Sequence, residues 1–202
     1  LRALLKVPHC EIRLRCWLMV RTVPNQLSTI KKWINDIQLG CYAVQNSEGI
    51  KVFLSIVLTV GNFLNEGRAE AFKLESINKL SNTKAEGADG GTLLDFVLAM
   101  LDERYPKKTQ GFMDEIRPCV AAAKVILNDV ELTVRQHLNE ARSCDGALRN
   151  ALSKGKIDWG DKLSDLLPRV ESAFADLTHK SQMVDQLKAQ YDETGRSLAM
   201  QN

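Results

Sequence analysis

No stretch of this 202-residue chain is apolar for the length a bilayer core demands. Its longest apolar run, "VFLSIVLTV" at 52–60, is the length of a buried core helix. No leader pattern of positive, apolar and small-residue segments opens it. Charge of either sign is short as well. The formal net charge is +2, and no concentrated basic patch suggests a nucleic-acid partner. Lys31-Lys32 and Lys107-Lys108 read as solvated helix ends. There are five cysteines and three histidines. None of Cys10, Cys16, Cys41, Cys119 and Cys144 forms a C-x-x-C pair, and none is spaced with His9, His137 or His179 as zinc ligands are. The expectation is no metal, no cofactor and no disulfide framework, in a cytosolic, reducing setting. No paired carboxylates or nucleophile–base pair stand at meaningful spacing, which argues against an enzyme.

Prolines number five, and strand-like alternation is scarce. Ala, Leu, Lys, Glu and Gln recur throughout, so the expected fold is all-α. The chain opens mid-pattern, with helical spacing at Leu1, Leu4 and Leu5, and ends without a stop signal. It therefore reads as part of a larger protein. Pro8 breaks the first fragment, and a helix over about Glu11–Arg21 carries Ile12, Leu14, Trp17, Leu18 and Val20. Pro24 suits the first turn of a further helix, where its missing N–H has no partner anyway. That helix sets Leu27, Ile30, Ile34, Ile37 and Cys41 on one stripe, with Trp33 beside it as core filler.

Ser47 is positioned to cap a helix over about Glu48–Asn65, apolar nearly all round and hence central. A short helix is expected at about Phe72–Leu80. "EGADGG" at 86–91 lacks the Lys-Ser or Lys-Thr and the preceding strand of a phosphate cradle, so it reads as a linker. Thr92 and Asp95 form a capping box that starts a helix to about Tyr105. Further on, Ile116, Val120, Ala123, Leu127, Val130, Val134, His137, Ala141, Cys144, Leu148 and Ala151 alternate by four and three, a heptad seam of about five repeats. His137 reads as a core histidine with a local partner. "SKGKIDWG" breaks the seam. A second seam runs Leu163, Leu167, Val170, Phe174, Leu177, Ser181, Val184, Lys188 and Tyr191, where Pro168 marks a kink or a late start. The two seams predict a long antiparallel, coiled-coil-like hairpin over 111–202, following a helical region over 1–110.

The stretch between these regions is unusual. Gly61 falls in the last turn of the central helix, where glycine costs about 1 kcal/mol relative to alanine. Close approach of another backbone would offset that. Asn62 and Asn65 share a face, and their amides suit holding loop backbone or an incoming chain. Gly67 suits a left-handed residue that ends the helix. Plain C-capping accounts for the run equally well.

"VGNFLNEG…AFKLESINKLSNTKAEGADGGTLLDFVLAML" closely resembles the formin homology 2 domain. The resemblance rests on Gly61-Asn62-Phe63-Leu64-Asn65-Glu66-Gly67, Ala71-Phe72-Lys73-Leu74, Ile77-Asn78-Lys79-Leu80, Thr83-Lys84-Ala85 and Thr92-Leu93-Leu94, in order and at the family's spacing. "KVPHCEIRLRCWL" upstream resembles the family's Val-Pro-x-x-x-x-Arg-Leu segment. Ala71 stands where the family has glycine, Ala85 where it has serine, and the loop from Gly67 to Phe72 is short. The resemblance implies an elongated all-α bundle without catalytic chemistry, made of the coiled coil and post, with the lasso and most of the knob missing.

It implies a dimeric ring that nucleates actin filaments and stays on the growing barbed end. The lasso of one subunit would dock on the post of the other at Gly61, Asn62, Phe63, Asn65, Gly67, Phe72 and Leu74. Lys84 would meet actin, with Lys79 and Lys73 as weaker candidates, against the bland alternative of an ordinary exposed lysine. Profilin would be reached only through an upstream proline-rich segment. The competing reading is a scaffold or dimerisation module of the same fold, binding microtubules or another partner without nucleating actin.

Overall fold

The computed structural model describes residues 7–84, 91–154 and 162–200. The side chains of Leu74 and of residues 197–200 are not described, and the expected linker at 86–91, apart from Gly91, lies outside the described residues, as does most of "SKGKIDWG". The chain is all-α. Its helices are α1 (Cys10–Asn46), α2 (Glu48–Leu64), α3 (Ile77–Leu80), α4 (Leu93–Arg104), α5 (Pro106–Thr109), α6 (Phe112–Ala122), α7 (Leu127–Ser153) and α8 (Leu167–Met200), with short 3-10 turns at Leu74–Ser76 and Ser164–Leu166. Among the described residues no single helix is long and apolar enough to cross a membrane, although α1 and α2 taken together across their bend reach that composition.

Two compact units share the chain, and neither is a continuous segment. One holds residues 1–35 and 125–188, the other 36–124 and 189–202.

The first unit is a bundle of α7, α8 and the opening part of α1. Cys16, Met19 and Val23 of α1 pack with Ala141, Cys144 and Leu148 of α7 and with Val170 and Leu177 of α8. The hairpin expected from the two seams is thus completed by a third helix. Arg149 pairs with Asp145 and Glu171, and Lys188 reaches Glu131 at 3.0 Å, which ties the rim of α7 to α8. His137 is half-buried, its Nδ1 4.0 Å from Glu140.

Pro24 does not start a helix; it lies inside α1. An interior proline costs about 3 kcal/mol. Against that stands a buried stripe continuous across it, through Cys16, Met19, Val23, Ile30, Ile34 and Ile37, all within 3% exposure. Each such large apolar side chain contributes about 1.5–3 kcal/mol on burial, so the stripe wins. Pro168 marks the late start: it occupies the first turn of α8, just after the 3-10 turn.

The expected single seam from Ile116 to Ala151 is broken. α6 ends at Ala122 and α7 begins at Leu127, and Val120 is 61% exposed. The physical reason is that the seam serves two cores. Ile116 packs in the second unit's cluster, whereas Cys144 and Leu148 pack in the bundle's. In α8 the buried register after Val184 follows Leu187 and Thr194; Tyr191 is 55% exposed and the Lys188 ammonium pairs at the surface. Leu14, Trp17 and Leu18 of α1, expected among its apolar contacts, are also exposed.

In the second unit α2 is central. Ile56, Val57 and Val60 pack with Leu80 of α3, Val97 and Leu101 of α4 and Phe112 of α6. Two glycines permit close crossings there. A Cβ on Gly40 would lie 2.5 Å from the Ala122 Cβ, and one on Gly49 would lie 2.3 Å from the Phe112 ring.

Candidate interaction site at the end of α2

Ser47 starts α2 as a true cap. Its Oγ accepts from the Ile50 N–H at 3.1 Å and donates to Glu115 at 2.6 Å, so this buried hydroxyl also ties α2 to α6. α2 is then apolar enough to run as the core helix up to Gly61.

The helix ends in a Schellman-type reversal. The Gly67 N–H donates to the Asn62 carbonyl at 3.0 Å and the Glu66 N–H to that of Phe63 at 3.5 Å. The left-handed residue is Glu66, with φ 48°, and not Gly67 as expected. The turn needs its positive φ one position after the cap residue Asn65, and that position holds a glutamate. Asn65 secures its own helix, with its Nδ2 donating to the Gly61 carbonyl at 2.8 Å. Asn62 does something different. Its Nδ2 donates to the Ala69 carbonyl at 2.8 Å and its Oδ1 accepts from the Ala69 N–H at 2.9 Å. One side chain thereby imitates a peptide unit and clamps the following loop. Both sequence readings hold, at different residues: Asn65 caps and Asn62 holds backbone.

Gly61 is met only from its own helix end, through Asn65; a Cβ on it would meet nothing else described within 4 Å. Among the described residues, no other segment makes the close backbone contact expected to offset this glycine. Phe63 is 83% exposed and Leu64 57%, the first a very large value for an aromatic ring. Phe72 is half-buried and packs on the α2–α4 core, in irregular chain ahead of the 3-10 turn and not in the short helix expected from Phe72. Leu74 opens that turn.

The lysines follow. Lys73, Lys79 and Lys84 are exposed, and no described residue forms an ion pair with any of them. Lys79 is held in α3, and the backbone at Lys84 is held by a longer-range contact. Lys84 bridges antiparallel to Thr92, and the Leu93 N–H donates to the Thr83 carbonyl at 2.8 Å. Thr92 is itself fixed by the expected capping box: its N–H donates to Asp95 at 2.7 Å, and the Asp95 N–H donates to its Oγ1 at 3.3 Å. The hydrogen bonds from the Thr92 backbone and hydroxyl hold the Asp95 carboxyl below its ordinary value. This pinning depends on a contact eight residues away in sequence, and only the capping box half of it had a sequence signal.

Burial pushes the Cys16 thiol up to about 12, reinforced by the neighbouring Cys144, and burial raises Cys41 and Cys119 too. Thiols so shifted are poor nucleophiles. Among the described residues no group of three His, Cys, Asp or Glu side chains is placed to hold a metal ion.

The sequence model of the Formin Homology 2 Domain matches residues 1–199. The chain belongs to the formin homology 2 family. It is 28% identical over 129 residues to mouse Disheveled-associated activator of morphogenesis 1, covering 62% of this chain and 12% of that protein. It is 27% identical over 198 residues to formin-like protein 14 of Arabidopsis thaliana, covering 96% of this chain and 15% of that protein. With human protein diaphanous homolog 3 it shares 31% identity over 134 residues, 64% of this chain and 11% of that protein. The chain therefore spans only a small fraction of these relatives' length. In this formin homology 2 chain the Gly-Asn-Phe-Leu-Asn-Glu-Gly run is the helix end itself: one asparagine caps, the other clamps, and the two apolar residues between them face outward.

Proposed function

We propose that the chain is part of a formin-type actin-filament assembly factor that works by binding, without a catalysed chemical step. One observation carries this reading: the family's motif run forms a clamped helix end that turns Phe63 and Leu64 outward at 83% and 57% exposure. Exposed apolar side chains on a rigid turn suit docking to another chain. In this reading Gly61, Asn62, Phe63, Asn65, Gly67, Phe72 and Leu74 receive the lasso of a second subunit in a head-to-tail homodimer. The open space at Gly61 leaves room for an incoming backbone.

Lys84 meets the acidic surface of actin at the barbed end, with Lys79 and Lys73 in lesser roles. A lysine offers a compact charge on a long stem, and its pinned backbone limits the entropy lost on contact. The ring nucleates filaments and stays with the growing barbed end. Profilin is reached through an upstream segment, and the setting is the cytoplasmic actin cytoskeleton. The test uses the complete dimeric domain. Lys84→Asp should slow barbed-end association about tenfold in a pyrene-actin elongation assay while leaving the dimer intact. Phe63→Asp should shift the dimer towards monomer in light scattering. Wild-type behaviour of both variants would overturn the proposal.

A further inference from the structure

The bundle of α1, α7 and α8 carries a second apolar surface with no partner among the described residues. Leu14, Trp17 and Leu18 are 59%, 55% and 61% exposed. Spaced by three and four, they form one face of α1. Cys16, Met19 and Val23 on the same helix are already committed to the bundle core. Contiguous exposed apolar surface of this kind marks an interaction site. Beside it opens a cleft of about 460 Å³, with Arg13, Leu14 and Trp17 on one wall and Lys162, Asp165, Leu166 and Arg169 on the other. That volume lies within the range of ligand-binding clefts.

Among the described lining residues, the exposed cations Lys162 and Arg169 outnumber the one carboxylate, Asp165, and Arg13 is engaged within the chain. The Arg13 Nε donates to the Pro8 carbonyl at 2.8 Å, which fixes the guanidinium stem at the cleft wall.

We infer that this cleft docks an acidic amphipathic segment of a partner protein. A leucine or aromatic anchor seats against Trp17, Leu14 and Leu166, and flanking carboxylates meet Lys162 and Arg169. The apolar surface continues past the cleft to Leu18, which favours a chain over a small molecule. A second copy of this protein is disfavoured, because a two-fold contact would bring the same excess of cations face to face. Nucleic acid is disfavoured because the lining has one aromatic and a carboxylate where a phosphate backbone wants an unbroken cationic track. The site belongs to the unit that does not contain Lys84, so it stands or falls independently of the actin reading.

The test probe is a fluorescein-labelled peptide with leucine and phenylalanine at helical spacing and glutamate elsewhere, titrated with the protein by fluorescence anisotropy. Saturable binding is expected. The double variant Lys162→Glu/Arg169→Glu should weaken it at least about tenfold, because opposed charges become like charges. Trp17→Ser should weaken it comparably, and Phe63→Ser in the other unit should leave it unchanged. Lys162 and Arg169 are exposed, so an unaltered thermal melt separates lost binding from lost fold. The inference is overturned if a lysine-for-glutamate version of the peptide binds equally well. It is equally overturned if the charge-reversed protein binds as before, or if nothing saturates. Light scattering that shows self-association through this face, relieved by Trp17→Ser, would assign the surface to a second copy and also overturn it.

Discussion

The bundle of α1, α7 and α8 and the unit built around α2 exclude water to different depths. In the bundle Ala141, Leu148, Leu163, Val170 and Leu177 are all 0% exposed. Around α2, Ile56, Val57, Val60, Leu80 and Phe112 keep 7–8%, while Val97 and Leu101 of α4 reach 0–1%. Long helices with a sustained seam cover each other layer by layer. Short helices gathered on one apolar rod leave gaps where chains turn. The slightly wet core is also the one beside the clamped turn and the three lysines. The more uniformly dry core lies in one unit and the candidate family site in the other, the usual division between scaffold and binding region.

Matched truncations sharpen this contrast most. Leu177→Ala, in the dry seam, should cost about 4 kcal/mol, and Leu80→Ala, in the looser core, about 2 kcal/mol, because the cost grows with the cavity that cannot collapse. Urea denaturation of both variants reads the difference; equal losses would erase the distinction between the two cores. The second test asks whether the α2 unit is loose everywhere. Gly40→Ala places a methyl 2.5 Å from the Ala122 Cβ. Overpacking should outweigh alanine's better helix propensity, for a net loss of about 1–2 kcal/mol. Adding Ala122→Gly should restore much of it, and a Gly40→Ala variant at wild-type stability would show that this crossing has slack. The smallest effect is a gain. Glu66→Gly relieves a left-handed glutamate at a helix end and should raise stability by about 1 kcal/mol, seen as a later urea midpoint with an unchanged slope.

Features set by a few neighbouring residues were legible in the sequence. The Ser47 cap, the Thr92–Asp95 box, the late start at Pro168 and the buried seam from Val130 to Ala151 all stand as local rules predict. Features set by distant packing were not. Pro24 carries a local signal for the start of a new helix, and only the stripe on both sides of it explains why α1 runs through it. Nothing local marks the break after Ala122, since the alanines there are good helix formers. The break reflects which core each flanking residue joins. The apolar residues of α1 were plain in the sequence, but nothing there told a covered face from the bare one at Leu14, Trp17 and Leu18.

At the candidate site the two asparagines were legible as backbone-binding groups, because their chemistry allows little else. Which backbone Asn62 would hold was not, since Ala69 becomes its partner only once the turn at Glu66 has formed.

The interleaving of the two units has a consequence for how the protein is made. Residues 1–35 leave the ribosome before the rest of this segment, yet the partners they pack with are residues 125–188, so α1 must wait through the synthesis of the whole intervening body. The last turns of α8 then return to that body, where Thr194 meets Gln45 at 2.7 Å. No single cut in the polypeptide can release either unit with all its own parts, and a nascent chain halted midway would present an apolar stripe on α1 to any chaperone within reach.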